Sequence, residues 1–303
     1  MIPESSILNC FQHLVDFDKD DLVIVGSGDD AAVIKSQEKD LVHSIDITKV
    51  NTHFPSDSMP QDIAYRSIAV ALSDLAAMGA YPAFISIGLT SNITDLKWYK
   101  QFTEGVEKIL NEYQLKLVGG DVTNGEISVC VNVFGYAYEK NILRSTAKVG
   151  DLIYITGPLG EGRRGLEDWK NNQQTEYIKK FFNPKVDFNK SEYISKYANS
   201  CIDISDGLVK DLTRICKSSE VGAEIIYENI PITNDIDDLS YGDDYKLCYT
   251  CSPELKDNEY ISEDFCIGKI KSNMKIIIKK DNSPVNFIKH GCCLLYTSDA
   301  ADD

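Results

Sequence analysis

Six short segments of this 303-residue chain combine residue types that could do chemistry: Gly26–Asp30 (GSGDD), Ser44–Asp46 (SID), Ser73–Asp74, Gly119–Asp121 (GGD), Asp203–Gly207 (DISDG) and Gly242–Tyr245 (GDDY). In five of them an aspartate adjoins glycine or serine. A short carboxylate beside glycine lets the backbone approach a bound ion closely, and hard oxygen donors are the ligands that Mg2+ selects. Triphosphate plus metal is the natural occupant. Any one Gly-Asp pair would pass for a turn. Asp74 does not, because it lies inside the apolar helical run Leu72–Met78. An unpaired carboxylate there is costly, so a cation partner is expected.

Spacing excludes the commonest nucleotide-binding alternatives. The chain has no GxxxxGK[ST] loop and no HRD or DFG set, so it is neither a P-loop enzyme nor a protein kinase. The run from Asp203 resembles a calcium loop, but its twelfth position is Arg214 and its glycine comes one place early.

The elements that must position these carboxylates alternate between helix and strand. Leu41–Ile45 reads as a strand delivering Asp46 at its end. Pro60–Met78 reads as a helix buried along one face, with Pro60 and Gly79 as start and stop signals. Ala83–Leu89 is a strand, Asp95–Tyr113 a helix, and Leu115–Val118 a strand stopping at Gly119-Gly120-Asp121. After a turn at Lys148–Asp151 come strand Leu152–Thr156, a glycine-rich loop to Gly162, strand Cys201–Ile204, helix Gly207–Lys217 and several further strands. The expected class is α/β (α+β) with two domains: residues 1–147, a mixed-sheet ATP/Mg domain that dimerises, and residues 148–292, a second α/β domain. The nucleotide is expected in the cleft between them. Residues 293–303 (CLLYTSDAADD) resemble a translated sequencing-adapter scar and are left out of fold reasoning.

The formal charge of −16, or −13 without Asp299, Asp302 and Asp303 of that tail, argues against nucleic-acid binding, which needs a basic face. Nine scattered cysteines read as reduced thiols, and the lone CxxC at Cys248 and Cys251 lacks a second pair for zinc. No leader-like segment opens the chain and no run of about 18 apolar residues is present, so no membrane role and a cytoplasmic location are expected.

The ordered set GSGDDAAVI, SID followed by Thr52, His53 and Phe54, LSDLAAMGAYP, VGGDVTNG, IDISDGL and GDDYKL resembles the thiamine-monophosphate kinase family, within the superfamily that includes aminoimidazole ribonucleotide synthetase. The resemblance implies a homodimer that moves the γ-phosphoryl of ATP directly to thiamine monophosphate with several Mg2+. It makes Asp30, Ser44, Asp46, Asp74, Asp121, Asp203 and Asp206 metal positions, with Asp30, Asp46, Asp74, Asp121 and Asp206 central to catalysis. Gly120, Asp121, Arg144 and Ser205 fall where the family contacts ATP, and His53 and Asp243 where it contacts substrate. Three features depart from the pattern: Arg163 and Arg164 in the glycine-rich loop, Lys246 in place of a common glutamate, and a C-terminus lacking the glycine-aromatic-acidic ending. The alternatives are another ATP-using superfamily member and a non-catalytic Mg2+/nucleotide-binding protein. A selenophosphate synthetase is disfavoured because Cys10 lacks a glycine-rich setting with lysine.

Overall fold

The structure, a computed structural model, describes residues 2–15, 22–25 and 31–285. Segment Gly26–Asp30, with its candidate ligand Asp30, and residues 286–303 lie outside the described residues. The chain forms two compact units. The first comprises Met1–Leu75 with Tyr81–Ala137, and the second Ala76–Ala80 with Tyr138–Asp303. The division falls ahead of the Lys148 turn because the segment after Tyr138 packs with the second unit: Ile142 N bonds Met78 O, and Ser219 Oγ bonds Arg144 O.

In the first unit, helix α1 (Glu4–Val15) and strands β1 (Val23–Val25) and β2 (Val33–Ile34) precede β3 (Leu41–Lys49), α2 (Pro60–Ala77), β4 (Ala80–Thr90), α3 (Leu96–Tyr113), β5 (Lys116–Thr123) and β6 (Ser128–Ala137). The main sheet has the order β3-β6-β4-β5, with β3 antiparallel to β6 and β4 parallel to β5. Helix α2 is covered all round rather than along one face, and every residue from Ile63 to Ser73 is buried. Two layers enclose it. Thr48 and Ser44 of β3 bond Ser67 and Asp74, and on α3 Gly105 sits against the backbone of Gln61 so tightly that no Cβ fits. Helix α3 starts at a side-chain cap, with Lys97 N donating to Asp95, and buries Phe102, Val106 and Ile109.

The second unit holds β7 (Leu152–Ile155), α4 (Glu161–Lys170), α5 (Tyr177–Phe182), α6 (Phe188–Tyr197), β8 (Ser200–Asp203), α7 (Leu208–Ser218), β9 (Gly222–Ile226), β10 (Leu247–Cys251), β11 (Phe265–Lys271), β12 (Ile276–Lys280) and β13 (Ser283–Pro284). They form a seven-stranded sheet, β13-β12-β9-β11-β7-β10-β8, antiparallel except for the parallel β9–β12 pair. Helix α7 carries Leu208, Leu212, Ile215 and Cys216 at helical spacing and packs this stripe with Ile153, Ile155, Ile202 and Ile225 of the sheet. Mixed sheets covered by helices make the α/β class expected from the sequence.

Candidate active site

Strand β3 and helix α2 build the first cluster. Thr48 on Ser67 and Ser44 on Asp74 fix their register, and since alternate strand residues share a face, Asp46 lies on that same inner face. Ser44 Oγ donates to Asp74 Oδ2 at 2.6 Å. Asp74 is half-buried, so the cost foreseen for a carboxylate inside this helix is met in part by a hydroxyl. Asp46 is not at a strand end as expected. Strand β3 continues through Ile47, Thr48 and Lys49, and Asp46 pairs with Val131 in mid-ladder.

Asp121 is likewise inside its strand, since β5 runs on to Thr123. Continuation requires Gly120, where an added Cβ would lie 2.5 Å from Ile87 O of the neighbouring strand. Asp121 is exposed, and its Oδ1 accepts from Val122 N at 2.9 Å. Two strands separate β3 from β5, which sets Asp46 and Asp121 about 14 Å apart across the sheet. The structure therefore pairs Ser44 with Asp74 on the β3 face that also carries Asp46, and sets Asp121 on the edge strand β5.

His53 follows β3 in a turn. Its Nδ1 accepts from Lys49 N at 3.0 Å, so the neutral ring carries its proton on Nε2. Its carbonyl accepts from Nε of the buried Arg66 at 3.0 Å, which anchors the turn to α2.

In the second unit Asp203 ends β8, as expected, and is buried. The loop that follows docks on the Gly242–Tyr245 loop: Asp243 N bonds Ser205 O at 3.0 Å and Tyr245 N bonds Ile204 O at 2.9 Å. Gly242 has no room for a Cβ against Ser205 O, and Gly207, at φ 105°, adopts a backbone that side chains rarely allow. Asp243 accepts from Tyr245 Oη at 2.7 Å. Arg144 is exposed at the start of a short 3-10 turn, Arg144–Thr146.

Several residues here escaped the sequence reading. Asp211 is wholly buried on α7, and burial pushes its carboxyl up to about 6 against the pull of Arg214. It carries the same signal as Asp74, a carboxylate inside an apolar helical stripe. Asp244 is buried beside the glycine-rich loop, where it accepts from Gly160 N at 2.9 Å, and burial holds its carboxyl well above the usual range. Arg163 and Arg164, whose role the sequence left open, are engaged locally. Arg163 binds Glu167, Asp235 and Asp238 and stacks over Tyr241, and Arg164 binds Asp168 at 2.7 Å. Lys246 pairs with Glu161 at 3.3 Å.

Among the described residues no three His, Cys, Asp or Glu side chains converge into a complete metal cage. The oxygen-only set of Ser44, Asp46 and Asp74 suits an ion that keeps part of its shell for water and phosphate, which is how Mg2+ binds.

Residues 28–137 match the family "AIR synthase related protein, N-terminal domain". The thiamine-monophosphate kinase of Buchnera aphidicola subsp. Schizaphis graminum is 40% identical over 89% of this chain and 94% of its own. The crystal structure of thiamine-monophosphate kinase from Stenotrophomonas maltophilia K279a superposes with a TM-score of 0.80 at 27% identity, over 92% of this chain and 96% of that one. AaThiL complexed with AMPPCP and TMP gives a TM-score of 0.77 at 27% identity, over 87% of this chain and 90% of that one. The chain belongs to the thiamine-monophosphate kinase family.

Proposed function

We propose that the chain transfers the γ-phosphoryl group of ATP to the phosphate of thiamine monophosphate by direct in-line displacement, giving thiamine diphosphate. The observation that carries this reading is the pairing of Ser44 with Asp74 alongside Asp46, an oxygen cluster fit for Mg2+ in a chain of this family. The acceptor phosphate is largely ionised near neutrality, so no strong general base is required. The barrier is repulsion between anions, and bound Mg2+ supplies charge neutralisation and alignment of the phosphate oxygens.

Ser44, Asp46, Asp74 and Asp121 would hold metal in the first unit, together with Asp30 outside the described residues, and Asp203 and Asp206 in the second. Gly120, Asp121, Arg144 and Ser205 bind nucleotide, Arg144 as a phosphate clamp. His53 offers Nε2–H to the substrate, a role its Lys49 hydrogen bond prepares, and Asp243 is the second substrate contact. The first unit then serves as the ATP/Mg and dimerisation domain, and the second is the further α/β domain.

The working unit is a homodimer, supported by the outer face of β3, where Leu41, Ile45 and Ile47 are each more than half exposed. Action in the cytoplasm is supported by the free thiols of Cys201, Cys248 and Cys251. Among the described residues no helix is long and apolar enough to cross a membrane.

Asp46→Asn tests the assignment. Thiamine diphosphate formation should fall about a hundredfold or more while the circular-dichroism melt stays unchanged. Near-parental turnover in that variant would remove the metal cluster from the mechanism.

A further inference from the structure

The loop carrying Ser205 and Asp206 is held by two residues for which the proposed reaction has no use. Asp211 is wholly buried, so it cannot touch a ligand. Its Oδ2 accepts from both Ser205 N (3.1 Å) and Asp206 N (3.0 Å), fixing the backbone on which those side chains ride. The restraint reaches further, because Ser205 O accepts from Asp243 N. One turn along α7, Arg214 spans two carboxylates, donating from Nη1 to Asp211 Oδ1 and from Nη2 to Asp206 Oδ2, each at 2.5 Å. Lys210 Nζ stands 3.4 Å from the same Asp206 oxygen.

We propose that Asp211 and Arg214 are positioning residues for this loop, and that Arg214 is a built-in cation competing with a divalent metal ion for the Asp206 carboxylate. The inference rests on the reading of Asp206 as a metal ligand. Arg214 and Asp206 are 39% and 30% exposed, so their ion pair opens to solvent and can exchange. Asp211 is not exposed at all and keeps Arg214 on station when Asp206 lets go. Two cations on one carboxylate oxygen oppose the approach of a third, and a guanidinium shared between two carboxylates opposes it less than one resting on Asp206 alone.

The signs are therefore opposite for the two residues. Arg214→Gln removes a competing charge and should tighten Mn2+ binding to Asp206 about fivefold. Asp211→Asn keeps an acceptor for the two loop N–H groups but leaves Arg214 wholly on Asp206, and should weaken Mn2+ binding by a similar factor. The double variant should fall between the two. The measurement is titration of the full, nucleotide-free chain with Mn2+, read from the electron paramagnetic resonance signal of free ion. Unchanged or weaker Mn2+ binding by a folded Arg214→Gln variant overturns the proposal, as does the absence of saturable Mn2+ binding in every protein tested. If Arg214→Gln fails to fold, Arg214→Met, which keeps the apolar stem and removes the charge, should still bind Mn2+ more tightly than the parent. Thiamine monophosphate phosphorylation on the same preparations separates the two readings. Turnover with no shift in Mn2+ affinity defeats the competition, whereas a shift without turnover defeats the kinase.

Discussion

Within Gly242-Asp243-Asp244-Tyr245 two adjacent carboxylates do different work. Asp244 spends its oxygens on Gly160 N, at 2.9 and 3.0 Å, and so holds the glycine-rich loop at the start of α4. That N–H group is not free for phosphate. Asp243 instead meets Tyr245 Oη from a left-handed backbone, φ 66°, that asparagine also tolerates. Asp244→Ala should therefore cost about 2 kcal/mol in urea unfolding, through a buried N–H group left unpaired. Asp243→Asn should unfold like the parent yet raise the KM for thiamine monophosphate about tenfold, with the KM for ATP unchanged; equal destabilisation by both changes would erase the division of roles. At this scale the sequence was legible where an aspartate sat beside glycine or within an apolar run. It was silent on which neighbour a carboxylate chooses, because Asp244 and Gly160 are distant in sequence and meet only in the fold. Arg163 is the same case: Asp235 and Asp238, distant in sequence, claim it in space.

Strand β3 shows why an element can be misread. Its inner face, Ser44, Asp46 and Thr48, is polar because it carries the cluster and docks on α2. Its outer face exposes Leu41, Ile45 and Ile47 along with His43 and Lys49. The alternation is thus inverted relative to an ordinary half-buried strand, and the strand's continuation through Ile47 and Thr48 passes for a loop. Helix α2 was misread in the opposite direction, because periodicity reveals one apolar face and cannot show that α3 covers the other. The exposed face of β3 should be buried in the homodimer. Ile47→Glu, which sets a charge there and touches no cluster residue, should shift sedimentation equilibrium from dimer to monomer. A dimer that survives the change lies on another surface.

For the whole molecule, the helix and strand signals on either side of the Lys148 turn announced two α/β units, and the chain forms two compact units. The strand orders were not legible, since β8 to β13 are joined by registers that depend on which edges meet, and neither α5 nor α6 carries a motif. The proposed transfer of a single phosphoryl group can be followed directly. Full-length chain should be incubated with Mg2+, thiamine monophosphate and ATP labelled in its γ-phosphoryl group, and the products separated. The label should appear in thiamine diphosphate, in step with ATP consumed. Label recovered only as inorganic phosphate, or ATP bound and left intact, would contradict the transfer.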